Sequence, residues 1–180
     1  MAALAGLLIG WARGGRASAL GQVPLKGGWL LSFAALLVLA ARLPAFSPIG
    51  PALQGCAYAA AMVVLWQNRH HPWIPVVLAG LALNSLVMLL NGGRMPLSAA
   101  ALAAAAQGIG APTWAFADPR YVVARPGAPL AALGDAFPIR VAGYAAVVSA
   151  GDLLMSVGLA GFVQRHMVMS RAPELPSQTL

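Results

Sequence analysis

Residues 144 to 164 read "YAAVVSAGDLLMSVGLAGFVQ", and the fold turns on what one acid is doing among so many apolar neighbours. A stretch of this length suits a transmembrane helix, since about 20 apolar residues cross a hydrocarbon core about 30 Å thick. An ionised carboxylate is costly in that setting. Asp152, about a third of the way along, is therefore expected to face a cavity or a partner. Ser149 lies three residues before it and Ser156 four after, so on a helix all three share one face. Gly151 and Gly158 lie beside that face, where a neighbouring helix could approach closely.

The rest of the composition agrees with lipid as the solvent. Of 180 residues, 60% are hydrophobic and only 8% charged, against roughly 25% charged in an ordinary soluble domain. The acids are Asp118, Asp135, Asp152 and Glu174, so the net charge of +7 reflects missing acids as much as added bases. The basic residues stand singly between apolar runs, which fits flanks at a membrane surface and not a nucleic-acid interface. The single cysteine, Cys56, excludes an internal disulfide or a cysteine cluster and reads as a packing residue.

Further apolar runs precede the last one, over residues 29–46, 49–67 and 72–91, with Pro72 suited to a helix start. Residues 1–12, "MAALAGLLIGWA", would cover only about 18 Å as a helix, and make a short, incomplete span. The arginines of "RGGR" follow this stretch, the reverse of a secretory signal, so "ASA" at residues 17–19 is not read as a cleavage site. Trp29, Trp66, Trp73 and Tyr144 suit interfacial anchors. The expected fold class is an all-α integral membrane protein of four to five transmembrane helices. It would form one domain over 1–166, with an apolar interfacial cap over 92–143 between the last two helices and a flexible cytoplasmic tail over 167–180. Arg13, Arg16, Lys26, Arg69, Arg165 and Arg171 would be inside, and Arg42, Arg94, Arg120, Arg125 and Arg140 outside, giving an outer N-terminus and a cytoplasmic C-terminus.

The cap opens with "LNGGRMPLS", residues 90–98. Gly92 and Gly93 allow backbone conformations closed to other residues, and Pro96 prevents simple continuation of the helix. The bend would hold Arg94 at the membrane surface, where its donors match a carboxylate: Asp135, Asp152 or, less well, Asp118. Asn84 and Asn91, seven residues apart, lie on nearly one helix face and need partners in lipid. Beyond the bend, "SAAALAAAAQG" reads as a short helix capped by Ser98 and stopped by Gly108.

No catalytic or cofactor motif is complete. His70 and His71 are adjacent and point about 100° apart on a helix, His166 lies at another helix end, and no acid is near, so neither a metal nor haem is expected. No phosphate-binding glycine motif occurs.

Five stretches, "GLLIGWARGG", "PLKGGWLL", "LNSLVMLLNGGRMPLS", "LGDAFPI" and "SAGDLLMSVG", occur in an order that resembles an uncharacterised bacterial membrane family, the domain of unknown function fifty-three-seventeen. The resemblance covers residues 5 to about 163 and implies a small multi-spanning inner-membrane protein with the turn at Asn91–Pro96 and aspartates at 135 and 152; the alanine-rich stretch over 99–130 is less typical of it. More weakly, "SAGDLLMSVGLAGFV" is similar to the last helix of lipoprotein signal peptidases, which implies paired catalytic aspartates, here Asp135 and Asp152. That pattern expects asparagine where Ala150 stands, and a "GNxxDR"-like setting where this chain has "NGGRM".

Three readings of function follow. The first is a non-catalytic subunit or accessory of a membrane complex, with Asn84, Asn91, Gly92, Gly93, Arg94, Asp135, Ser149, Asp152 and Ser156 as a polar cluster closing the cap. The second is a membrane-embedded enzyme or small-solute carrier using Asp135 and Asp152. The third is a subunit binding a lipid, quinone or pigment; no cofactor is selected by the residues. The partners expected are the bilayer and other membrane subunits.

Overall fold

The computed structural model describes residues 2–107, 120–141 and 144–169. Its main helices are α1 (Ala2–Ala12), α2 (Gly28–Ala40), α3 (Gly50–Gln67), α4 (Ile74–Leu90), the short α5 (Ala99–Ala106) and α6 (Ala150–Met169). Four strands lie between α4 and α6: β1 (Met95–Leu97), β2 (Tyr121–Val123), β3 (Phe137–Val141) and β4 (Tyr144–Val148). The first two pair in parallel, Met95 opposite Tyr121, and the last two form an antiparallel pair with Phe137 opposite Val148.

The α6 helix is the centre of the bundle, packed by α1 and α4, while α2 packs on α3 and α3 on α4. Small residues make the close approaches. A Cβ at Gly80 would meet the Gly151 carbonyl oxygen at 2.5 Å, and one at Gly158 the Val77 nitrogen at 2.8 Å. On the other side of α6, a Cβ at Gly6 would meet the Ala160 oxygen at 2.8 Å. Dispersion falls steeply with separation, so backbones that approach this closely gain contact that larger side chains would prevent.

One end of the bundle is fastened through main chain and amide. The Arg16 N–H donates to the Met167 carbonyl at 3.0 Å. Asn68, 1% exposed, accepts from the Lys26 N–H at 2.9 Å and donates to the Lys26 and Val64 carbonyls, each at 2.8 Å. Asn68 thus ties the start of α2 to the end of α3. Asn68→Ala leaves both polar groups of Lys26 without this partner. It is expected to cost about 2 kcal/mol in chemical unfolding; a loss under about 0.5 kcal/mol would mean that water replaces the amide.

The structure overturns the expected fold class twice. The chain is not all-α, because the last apolar run divides: residues 144–148 are a strand and the helix starts only at Ala150. Tyr, Val and Ile suit a pleated surface, and an apolar run of this kind is compatible with strand or helix until its partner is known. Nor do the described residues show four to five membrane-crossing helices. Among the described residues one helical segment, Pro44–Gln67, is long and apolar enough to cross; α1, α2 and α4 fall short. The expected cap is an ordered unit of strands and helix, with residues 108–119 and 142–143 outside the described residues. Residues 167–169 continue α6 instead of starting a tail; residues 170–180, the rest of that expected tail, also lie outside the described residues.

Candidate functional site

The bend after α4 has the geometry its glycines suggest. Gly92 and Gly93 have φ of 67° and 79°, and the Gly93 N–H donates to the Met88 carbonyl at 2.8 Å, the six-residue closure typical of glycine-ended helices. What the bend launches is β1, with all three residues buried. The Met95 N–H donates to the Arg120 carbonyl at 2.7 Å. On the other side of β1, the Asp135 N–H donates to the Pro96 carbonyl and the Ser98 N–H to the Asp135 carbonyl, each at 2.9 Å. The strand therefore delivers Arg120 and Asp135 to the end of α4.

The start of α6 supplies the other half. Ser149 precedes the first helical residue, and its Oγ accepts from the Asp152 N–H at 3.0 Å while Asp152 Oδ2 accepts from the Ser149 N–H at 3.2 Å. This reciprocal pair satisfies two helix N-terminal donors, and the helix dipole favours the carboxylate there. Asn84 of α4, 1% exposed, closes the ring. It donates to Asp152 Oδ1 at 2.9 Å and accepts from Ser149 Oγ at 2.7 Å.

Asp135 and Asp152 line one cavity of about 100 Å³ together with Gln54, Tyr58, Asn84 and Arg120. Met88, Met95 and Tyr121 complete its walls. A volume of that size holds several waters or a small polar group. Burial raises the Asp135 carboxyl from 3.8 to about 7; the nearby Asp152 charge adds to the rise and the Arg120 guanidinium opposes it. The two acids thus differ in kind. Both oxygens of Asp152 are engaged by donors, whereas Asp135 changes protonation near neutrality.

Of the residues expected from sequence, Asn84, Asp135, Ser149 and Asp152 come together here. The others do not. Arg94 is exposed and lines a separate hollow of about 540 Å³ with Asn91, Gly92, Pro96 and the residues of β2 and the turn after it. Arg120 stands at the acids in its place. The Asn91 amide donates to the Val87 and Pro129 carbonyls at 2.8 and 2.9 Å, away from α6. Ser156 is exposed, and Ser149 lies outside the helix, so the shared face of Ser149, Asp152 and Ser156 does not exist. Gly93 packs near Pro51, away from the acids. Asp118 lies outside the described residues.

Gln54, Tyr58, Arg120 and Tyr121 were missed. Gln54 and Tyr58 are four apart in an apolar run, a spacing that puts both on one helix face and the same signal that marked Asn84. Nothing in sequence separates Arg120 from Arg94, Arg125 or Arg140. At the opposite end of the bundle the histidines are closer than their sequence positions suggest: His71 lies 4.3 Å from His70 and 5.6 Å from His166 between ring centres. Among the described residues no group of three His, Cys, Asp or Glu side chains could hold a metal ion.

The family of unknown function DUF5317 matches residues 22–164. The chain belongs to that family. No curated protein and no solved structure matches it. In this DUF5317 member the matched stretch contains every residue that lines the two-acid cavity, and it leaves α1 outside.

Proposed function

We propose that this DUF5317 chain is a non-catalytic protein of the bacterial inner membrane that holds a small polar group in the Asp135–Asp152 cavity, where Asp135 takes up and releases a proton. One observation carries the reading: two carboxylates and a guanidinium line a single cavity, and one of the carboxylates titrates near neutrality. The Asp152 side chain is held in place, because its oxygens are tied to Asn84 and to the Ser149 main chain.

Membrane residence is supported by the Pro44–Gln67 segment and by large apolar side chains left in the open. Leu8, Trp29, Leu36 and Leu89 are 61, 72, 64 and 76% exposed. Exposed apolar surface of this extent marks contact with lipid or with other membrane subunits. Alkaline carbonate washing should leave the chain in the membrane pellet; its release would end this part of the reading.

Infrared titration tests the proton. The full chain in nanodiscs should show a protonated-carboxyl band that fades near pH 7 and is missing from Asp135→Asn. In Asp152→Asn the band should persist but fade at lower pH, because the neighbouring charge that helps hold the proton on Asp135 is gone. A band that is absent, or indifferent to Asp135→Asn, would overturn the assignment.

A further inference from the structure

We propose that the cavity is the headgroup end of a site for a single-tailed amphiphile with a small, uncharged, hydroxyl-bearing head, whose tail lies in the groove between α3 and α4. The inference rests on the cavity reading above and names the ligand class.

The polar cavity does not end blindly. Tyr58 and Met88 line it and also line an apolar hollow of about 270 Å³ with Pro51, Gly55, Met62 and Leu89. Met62 in turn borders a second apolar hollow of about 500 Å³ with Val63, Trp66, Leu78 and Ala82. Shared lining residues place the three spaces in succession from the acids to the far end of α3. Between Gly55 and Trp66 the helix rises about 16 Å, close to one leaflet, about half of a ~30 Å hydrocarbon core. A side chain at Gly55 would meet nothing within 4 Å, so the groove there is open space and not an imperfect helix contact.

The head is specified by what lines the polar end. Gln54 is 4% exposed, and its Oε1 is buried with no hydrogen-bond partner among the described residues. A buried acceptor without a donor is costly, so the occupant must donate. While Asp135 holds its proton, the Asp152 charge and the Arg120 guanidinium balance, which disfavours a further net charge in the same small space. A hydroxyl can donate to Gln54 and accept from a cation at once. The cavity of about 100 Å³ matches a head the size of glycerol better than a phosphocholine or a sugar pair. A monoacylglycerol fits every one of these demands.

The test uses the full chain in phosphatidylcholine nanodiscs with 1-oleoylglycerol carrying a photoreactive group in its tail. Labelling is expected on the peptide that contains Met62, Val63 and Trp66, with an excess of unlabelled 1-oleoylglycerol competing it away. Gly55→Leu, which fills open space and favours the helix, should weaken labelling about tenfold, the equivalent of roughly two buried methylenes. Gln54→Leu should weaken it while leaving a monodisperse protein. Labelling spread over the whole surface, or unaffected by Gly55→Leu, overturns the groove. Equal labelling by a photoreactive phosphatidylcholine overturns the head assignment and marks bulk lipid as the source. The infrared titration of the wild-type chain is read without probe, so failure of the proton assignment and failure of the amphiphile site are separate results.

Discussion

Replacing Gly151 with valine is expected to remove at least about 3 kcal/mol of stability, the largest loss expected of any single substitution proposed for this chain. A Cβ at Gly151 would meet the Gly80 carbonyl oxygen at 2.5 Å and would collide with the Asn84 side-chain oxygen. Neither obstacle can yield cheaply. The first is backbone of the packed α4 helix, and the second is the acceptor that holds the Ser149 hydroxyl. Accommodating valine therefore pushes α4 from α6 and breaks the Asn84–Ser149–Asp152 ring together. Unfolding by denaturant in mild detergent gives the measurement, with Gly55→Ala as the control, since nothing lies within 4 Å of its Cβ. If Gly151→Val matched Gly55→Ala, the two helices would not cross on bare backbone.

Asp135→Asn is expected to flatten a pH dependence. The native carboxyl sits near 7 instead of 3.8 because burial, and then the Asp152 charge, disfavour its ionised form. The folded state therefore binds this proton more tightly than the unfolded state. Its contribution is fully present below pH 3.8 and is lost progressively as pH rises to about 7. A rise of about three units corresponds to roughly 4 kcal/mol as an upper bound. The amide cannot ionise, so the variant should match the native chain near pH 4 and exceed its stability at pH 8, with a flatter profile between. Parallel profiles for the two proteins would show that Asp135 does not titrate in the fold.

Much of this arrangement was legible in sequence, and particular residues show where legibility stopped. The glycine pair after Leu90 announced a sharp bend, because two adjacent residues free of Cβ before Arg94-Met95-Pro96 suit no other local purpose, and the positive φ values agree. Ser98 was readable as a helix cap, and its Oγ accepts from the Ala101 N–H at 3.3 Å. "SAGD" also carries the spacing of a reciprocal cap, serine three residues before an acid. Hydropathy hid it, since the apolar "AAVV" before it extends a helix as readily as it forms a strand.

The wrong guanidinium is the more instructive case. Arg94 follows the bend directly, and local reasoning naturally aims it at the acids. Alternation along an extended strand and pairing at β1 decide otherwise. The main chain of Met95 grips Arg120, twenty-six residues from Arg94, while that of Pro96 grips Asp135. Hydrogen bonding between strands depends on register, which no local pattern of single side chains specifies.

By itself the sequence determined the apolar character of the chain, the helical runs before the bend, the bend itself and the presence of two acids needing company. These follow from composition and short-range stereochemistry, which act within a few residues. Only the tertiary structure decided that the last run splits into strand and helix, that Arg120 and not Arg94 joins Asp135 and Asp152, and that Gln54 and Tyr58 line their cavity. Those outcomes depend on which backbone donors find which acceptors across long sequence separations, and that choice is made by the packed chain as a whole.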